Sequence, residues 1–258
     1  MFRHVARVVV VTVAFGSMAT AQRPATNSPG EPVLVLAELF TSQGCSSCPP
    51  ADHVLETLLK EQSISGVHVV ALSEHVTYWD HQGWKDPFGS EQFTNRQKDY
   101  GFGFNLDSIY TPQLVIDGVS EAVGSDERNI RGMLVNAAKV PKPRLIVEAS
   151  LKPDGTLHAS VSGAGMAGIS ASDAELWWAI TEDNLVVDVK RGENASRTLR
   201  HSGVVRMLSS DKVFKPGLSG TLTIPGSSNW KRENLRVVAF LQSKETRRVL
   251  SVGFAPVL

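Results

Sequence analysis

Apolar residues run together along the first half of this chain and break into short alternating stretches along the second. The run Val33-Leu34-Val35-Leu36-Ala37-Glu38-Leu39-Phe40 is almost uninterrupted, the pattern of a buried strand. Ala51 to Lys60 follows, with Val54, Leu55, Leu58 and Leu59 recurring on one helical face, which predicts a helix to about Glu61. Gly66 breaks the chain, and Val67-His68-Val69-Val70-Ala71-Leu72 reads as a second buried strand. Strand, helix and strand with short connections predict a parallel β-α-β unit.

From Ser73 to Gly103 this regularity is lost. Glu74, His75, Tyr78, Trp79, Asp80, Trp84, Asp86 and Phe88 crowd together, in an insertion too long for a plain connection. Ser90 is placed to cap a short helix through about Tyr100. A loop ending at Pro112, a strand from Gln113, a tight Asp117-Gly118 turn and a return strand come next. Ser125 is the predicted cap of a helix through about Ala138, with Ile130, Leu134, Ala137 and Ala138 inward. Pro141 and Pro143 stop it and mark a predicted domain boundary.

The remainder changes character. Leu145–Ala149, Leu157–Val161, Glu175–Ile180, Gly220–Ile224 and Leu235–Leu241 are strand-like, and Pro153-Asp154-Gly155 is a hairpin signal. Short strands without helices predict a small antiparallel sandwich. The expected architecture is an α/β domain over residues 33–140, with an insertion at about 73–103, followed by a β-rich domain over 144–258. There is no internal repeat and no low-complexity tract.

Composition narrows the setting. Of 258 residues 42% are hydrophobic, enough for a substantial core. Lys+Arg and Asp+Glu are both 26, so nothing points to nucleic acid or an anionic membrane surface as partner. Arg3, His4 and Arg7 precede a short apolar stretch from Val8 to Phe15, and Ala19-Thr20-Ala21 forms an A-x-A site before Gln22. Residues 1–21 are therefore expected to be a signal peptide, with an uncleaved N-terminal anchor as the alternative. Residues 22–32 are expected to be a mobile lead-in. The mature chain is expected to work in the periplasm or outside the cell, with no membrane span after the signal is removed.

That compartment sharpens the reading of the only two cysteines, in Cys45-Ser46-Ser47-Cys48, between the first strand and the first helix. Cys-x-x-Cys lets a thiolate at a helix start reach a second thiol one turn later, to exchange electrons or to grip a soft metal. As a purely structural bridge its four-residue ring stabilises little, because the entropy term grows with loop length. In the exchange reading Cys45 is the nucleophile, its pKa lowered by free backbone N–H groups and the positive end of the helix dipole. Cys48 is then the buried resolving thiol. Ser46 and Ser47 either add hydroxyl donors or are ordinary loop polarity.

Other residues carry paired readings. Glu38 could move protons to and from Cys48, or hydrogen-bond a loop. His75, Asp80 and Asp86 are of metal-ligand type, the sharpest version being a copper site of Cys45, Cys48 and His75. They could instead form a hydrogen-bonded insertion packed by Trp79 and Trp84, or His75, Trp79, Asp80 and Trp84 could wall a substrate groove. Arg96 and Gln97 could pair with Asp80 or Asp86, bind a substrate carboxylate, or face solvent. Asn194-Ala195-Ser196 fits a glycosylation sequon. Gly192-Glu193-Asn194 reads as a turn, which could dock against the site of the first domain.

Up to residue 140 the pattern resembles the thioredoxin fold: a buried strand, the cysteine pair at a helix start, a second parallel strand, and Thr111-Pro112 before an antiparallel strand. The resemblance implies that Pro112 is a cis-proline lying against the cysteines, with Thr111 supporting them. Cys45, Cys48 and Pro112 would then be the catalytic set. Gly44 stands where that superfamily has Trp, Ser46-Ser47 replaces Gly-Pro, and the insertion is large. These departures point away from general protein reduction, toward a narrower partner.

A closer resemblance is to a secreted bacterial family catalogued as domain of unknown function DUF1223. It lies in Glu38-Leu39-Phe40-Thr41-Ser42-Gln43-Gly44-Cys45-Ser46-Ser47-Cys48-Pro49-Pro50-Ala51-Asp52, His75-Val76-x-Tyr78-Trp79-Asp80, Gly83-Trp84-x-Asp86, Arg96-Gln97, Tyr110-Thr111-Pro112-Gln113, Arg191-Gly192-Glu193-Asn194 and His201. The functional expectation is an extracytoplasmic thiol–disulfide oxidoreductase acting on protein thiols or disulfides, with the cysteine pair as redox centre and no other cofactor. The alternatives are a copper-binding or assembly protein using the same cysteines, and a non-enzymatic interaction module with an inert disulfide.

Overall fold

A computed structural model describes residues 31–62, 64–163, 169, 172–211, 219–225 and 229–257. The expected signal peptide and all but the end of the lead-in lie outside these residues.

The first strand, β1 (Val33–Thr41), is buried on both faces, as its unbroken apolar run requires. Val35, Ala37 and Leu39 pack on Val54, Leu55 and Leu58 of α1 (Pro49–Glu61) and on Ile130 and Leu134 of α3 (Glu127–Ala138). On the opposite face Leu34 and Leu36 meet Phe93 of α2 (Glu91–Gly103). This alternation is the period-two geometry of a strand with helices on both sides.

Around β1 the sheet is mixed. β2 (Val67–His75) pairs with it in parallel from Val33↔Val67 to Thr41↔His75. β3 (Gln113–Ile116) lies antiparallel on the other side, followed by β4 (Ser120–Val123) across the Asp117-Gly118 turn. The second strand thus runs three residues past Leu72, and Ser73, Glu74 and His75 belong to the ladder rather than to the insertion. The apolar signal stopped early because buried Glu74 is matched by the charge of Arg96, not by hydrophobicity. Ser90 caps α2 as predicted, accepting from Gln92 N–H. The cap of α3 is Asp126, one residue later than predicted, whose carboxylate accepts from Asn129 N–H; an acid suits the positive end of a helix.

The second half contains β5 (Leu145–Leu151), β6 (Thr156–Gly163), β7 (Ala174–Glu182), β8 (Leu185–Asp188) and β9 (Thr198–His201). These are followed by β10 (Val204–Asp211), β11 (Ser219–Pro225), β12 (Leu235–Ser243) and β13 (Val249–Pro256). Four of these extend the first sheet into one of eight strands, ordered β13-β12-β7-β10-β2-β1-β3-β4. β10 meets β2 through a single registered pair, Val204↔Ser73. A second sheet, β11-β6-β5, covers the far end. Leu145, Val147, Leu157 and Val161 face Trp178, Ile180, Val237 and Leu241 across that sandwich. The molecule is thus the expected α/β fold with added antiparallel strands, and one sheet runs past the chain boundary at Pro141 and Pro143.

β8 and β9 form a separate two-stranded ribbon. Its connecting loop reaches back to the first half of the chain. Among the described residues no helix is long and apolar enough to cross a membrane.

Candidate functional site: a buried disulfide under a ribbon

Where β1 ends, the chain turns tightly. Cys45 N–H donates to Ser42 O at 3.2 Å and Cys48 N–H to Cys45 O at 3.3 Å. Cys45 and Cys48 are joined in a disulfide, with Cα atoms 5.5 Å apart. Both are fully buried, whereas Ser46 and Ser47 are exposed.

The electrostatics differ from the sequence-based expectation. α1 starts at Pro49 with Cys48 as its N-cap. Pro49 and Pro50 have no N–H to offer, and the N–H groups of Ala51 and Asp52 both donate to Cys48 O. The amides of Ala51 and Asp52 are therefore spent on Cys48 O rather than turned to Cys45 Sγ. Hydroxyls reach that sulfur instead: Ser47 Oγ lies 3.3 Å from Cys45 Sγ, and Thr111 Oγ1–H donates to it at 3.4 Å. Thr111 is fixed in turn by Trp79, whose Nε1–H donates to Thr111 Oγ1 at 2.8 Å. The Thr111–Pro112 peptide is cis. Gly44 permits this packing, since a Cβ there would lie 2.9 Å from Trp79 Cβ. Ser46 faces away from the sulfur toward Glu193, its N–H donating to Glu193 Oε2 at 2.9 Å.

Glu193 belongs to the loop of the β8–β9 ribbon, and that loop grips the cysteine turn. Fully buried Asn194 donates through Nδ2 to Gln43 O at 2.9 Å and to Cys45 O at 2.8 Å. Gly192, at φ +77°, lets the loop pass close to Trp84, where a Cβ would meet Trp84 Cβ at 3.2 Å. The docking considered from sequence is thus a feature of the structure.

Beneath the turn lies a buried polar cluster. Gln43 N–H donates to Asp86 Oδ2 at 2.8 Å, and His75 Nδ1 meets the same oxygen at 2.7 Å. Gln43 Oε1 accepts from Trp84 Nε1–H, leaving Gln43 Nε2 to donate to His201 Nε2 at 3.3 Å. His201 is then a neutral ring with its proton on Nδ1, 3.6 Å from Asp52 Oδ2, too long for a hydrogen bond. Asp52 Oδ1 accepts from Thr41 Oγ1–H at 2.9 Å. The rings of His75 and His201 meet edge to face at 4.9 Å.

Burial dominates the charges of this cluster. It pushes Asp52 up to about 7, against the pull of His75 and Thr41. It pushes His201 down to about 3, helped by the charge of His75. Burial also opposes a charge on His75, but Asp86 outweighs it and raises the imidazole above its usual range. Burial likewise opposes Asp86, which His75 and the N–H groups of Gln43 and Phe88 hold below the usual carboxylate range. His75 Nε2 and His201 Nδ1 have no hydrogen-bond partner among the described residues.

The model of the family described as protein of unknown function, DUF1223, matches residues 36–242, which include every group described above. The chain belongs to this family. Two solved structures are similar over most of their length. One, from Agrobacterium tumefaciens, is 26% identical with a TM-score of 0.64, covering 87% of this chain and 94% of that one. The other, HBP35 of Porphyromonas gingivalis, is 14% identical with a TM-score of 0.57, covering 88% of this chain and 76% of that one; it shows a likeness of fold. None of the curated proteins matches the chain.

In this DUF1223 protein the remaining predicted residues fall in three places. Glu38 points to the face of β1 opposite α1. There it accepts from Arg96 Nε–H at 2.6 Å and from Tyr100 O–H at 2.5 Å. It is an ion-pair partner in the core, and the carboxylate on the α1 side, beneath the turn, is Asp52. Glu74 shares that arginine at 3.6 Å and is pushed well above the usual range by burial, with Arg96 opposing. Arg96 and Gln97 therefore do not pair with Asp80 or Asp86; Gln97 bonds Tyr78, Tyr110 and Gln113. His75 is fully buried and walls no groove, whereas Trp79, Asp80 and Trp84 are partly exposed. Among the described residues no three His, Cys, Asp or Glu side chains are grouped to hold a metal ion, so Cys45, Cys48 and His75 do not form the copper-type set.

Sequence reading left Asp52 and His201 without a role. Asp52 was detectable, since it lies in phase with Leu55 and Leu59 on the inward stripe of α1.

Proposed function

We propose that this DUF1223 protein is a thiol–disulfide oxidoreductase acting outside the cytoplasm, with Cys45 as the exchanging sulfur and Cys48 as the resolving one. The observation that carries the reading is the asymmetry of the pair. Two hydroxyls face Cys45 Sγ, and among the described residues none bonds Cys48 Sγ. Hydrogen bonds to a thiolate lower its pKa and single out the sulfur that attacks and leaves. The order β2-β1-β3-β4, with α1 and α3 on one face and α2 on the other, supports the thioredoxin-like reading. The basic and apolar leader supports export.

In the reducing direction the Cys45 thiolate attacks one sulfur of a partner disulfide. The partner S–S bond breaks, a Cys45–partner disulfide forms, and the second partner sulfur leaves as a thiolate that takes up a proton. Cys48 then loses its proton and attacks Cys45 Sγ, restoring the internal disulfide and releasing the partner as a dithiol. Two electrons pass from the cysteine pair to the partner; oxidation of a partner is the same sequence reversed. No further cofactor is required in this reading.

Full burial of the two cysteines favours a second reading, an interaction module with an inert disulfide. Trapping separates them. Purified Cys48→Ser should accumulate a mixed disulfide with a scrambled model protein, and Cys45→Ser should not. Failure of Cys48→Ser to form any mixed disulfide would support the inert module.

A further inference from the structure

A cavity of about 350 Å³ lies away from the cysteine turn, between the start of α2 and the outer face of β10. Its size is at the lower end for small-molecule sites, roughly 300–1,000 Å³. Phe93, Met207 and Leu208 are its aliphatic and aromatic lining beside Phe88 and Trp230, with polar atoms of the chain between them. Gln92 Nε2 donates to Leu208 O at 3.1 Å and ties α2 to β10 beneath it.

Among the described residues the one cationic side chain lining the cavity is Arg206, and backbone geometry puts it there. Val205 pairs with Thr181 and Met207 with Ile180, so Arg206 is the extra residue of a β-bulge. Bulges of this kind re-aim a side chain and recur beside binding sites. The Arg206 guanidinium lies 5.0 Å from the Phe88 ring centroid and 6.0 Å from that of Trp230. Its ionic partner is Glu182, reached through Nε at 3.6 Å. The two Nη groups make no hydrogen bond among the described residues, and the side chain is only 19% exposed. A guanidinium with its terminal N–H pair unspent, held rigid between two rings, matches a planar carboxylate bidentately. The positive end of the α2 dipole adds to the attraction. Ser90 Oγ, also on the cavity wall, already serves as the α2 cap.

We infer that this cavity is a binding site for a small organic carboxylate, its acid group on Arg206 and its apolar body on Phe93, Met207 and Leu208. The inference is independent of the redox reading. The pocket combines one guanidinium with aromatic and aliphatic side chains, which suits a small organic acid better than inorganic phosphate. The ring of Phe88 also packs on His75 at 5.3 Å, so the ligand would lie one ring away from the polar cluster under the disulfide.

The test is calorimetric titration of the intact mature protein with hexanoate, benzoate, hexanamide and inorganic phosphate. Saturable binding of the two acids, with the amide at least about tenfold weaker, is expected from loss of the charge-assisted pair. Arg206→Gln alone strands the buried Glu182 carboxylate, so the matched variant is Arg206→Gln with Glu182→Gln, checked for native circular dichroism. It should lose acid binding by the same factor. No binding of either acid, equal binding of acid and amide, phosphate binding as tight as the acids, or undiminished binding to the folded double variant would each overturn the assignment.

Discussion

Thr111 holds the most exposed claim at the scale of single residues, because one hydroxyl both accepts from Trp79 and donates to Cys45 Sγ. Thr111→Val keeps the shape and removes both bonds. The Cys45 thiol of the reduced variant should titrate higher than wild type by about one unit, the size of a lost hydrogen bond to a charged group. The pH dependence of its alkylation rate measures this, and an unshifted profile would remove Thr111 from the site. Asp52 makes a second claim. Its folded pKa of about 7 stands above the unfolded value of 3.8, so its contribution to stability is fully present below pH 3.8 and is lost as pH rises through 7. His201, lowered from 6.5 to about 3, acts in the opposite sense: its contribution is present above 6.5 and lost as pH falls toward 3. Asp52→Asn abolishes the first dependence. It should be more stable than wild type at pH 8, by on the order of 1 kcal/mol or more, and similar at acid pH. Urea midpoints at the two pH values decide, and a variant weaker than wild type at pH 8 would contradict the burial argument.

At the scale of elements, the β8–β9 ribbon is bonded to the cysteine turn and is expected to limit access to the disulfide. It belongs to neither large sheet; its loop bonds the cysteine turn through Asn194 and Glu193, and its second strand does so through His201 and Gln43. Glu193 is exposed, so its hold on Ser46 is weak beside that of buried Asn194. Asn194→Ala frees two carbonyls and loosens the loop. The disulfide of this variant should be reduced by dithiothreitol several-fold faster than that of wild type, in proportion to the larger open population. An unchanged rate would mean that the ribbon is not what shields the sulfurs. β1, β2, α1, β3 and β12 were legible in the sequence because each is an apolar run or an amphipathic period with clear punctuation. The ribbon was not: Leu185–Asp188 and Thr198–His201 are four-residue strands with exposed, polar positions. β10 was missed because Arg206 and its bulge interrupt the alternation.

Across the whole molecule the two halves of the chain build one site. The cysteine turn could be located from sequence because the chain has only two cysteines. Its surroundings could not, since Asn194 lies 149 positions from Cys45, and His201 lies 158 from Gln43. No local pattern records such a contact. The partners of Glu38 were hidden for a related reason: a strand alternates faces, and Arg96 and Tyr100, which bond it on the face away from the cysteines, come from α2. The eight-stranded sheet explains why distant segments meet, because β10 places the ribbon and His201 beside β2. What the assembly is for depends on whether the buried disulfide exchanges. The direct measurement is a redox titration of the mature protein against glutathione, read by alkylation of Cys45 and Cys48. A reversible midpoint between about −120 and −270 mV is the expected result for a working exchange pair. A pair that stays oxidised below about −300 mV would contradict the proposed function and leave a structural disulfide in its place.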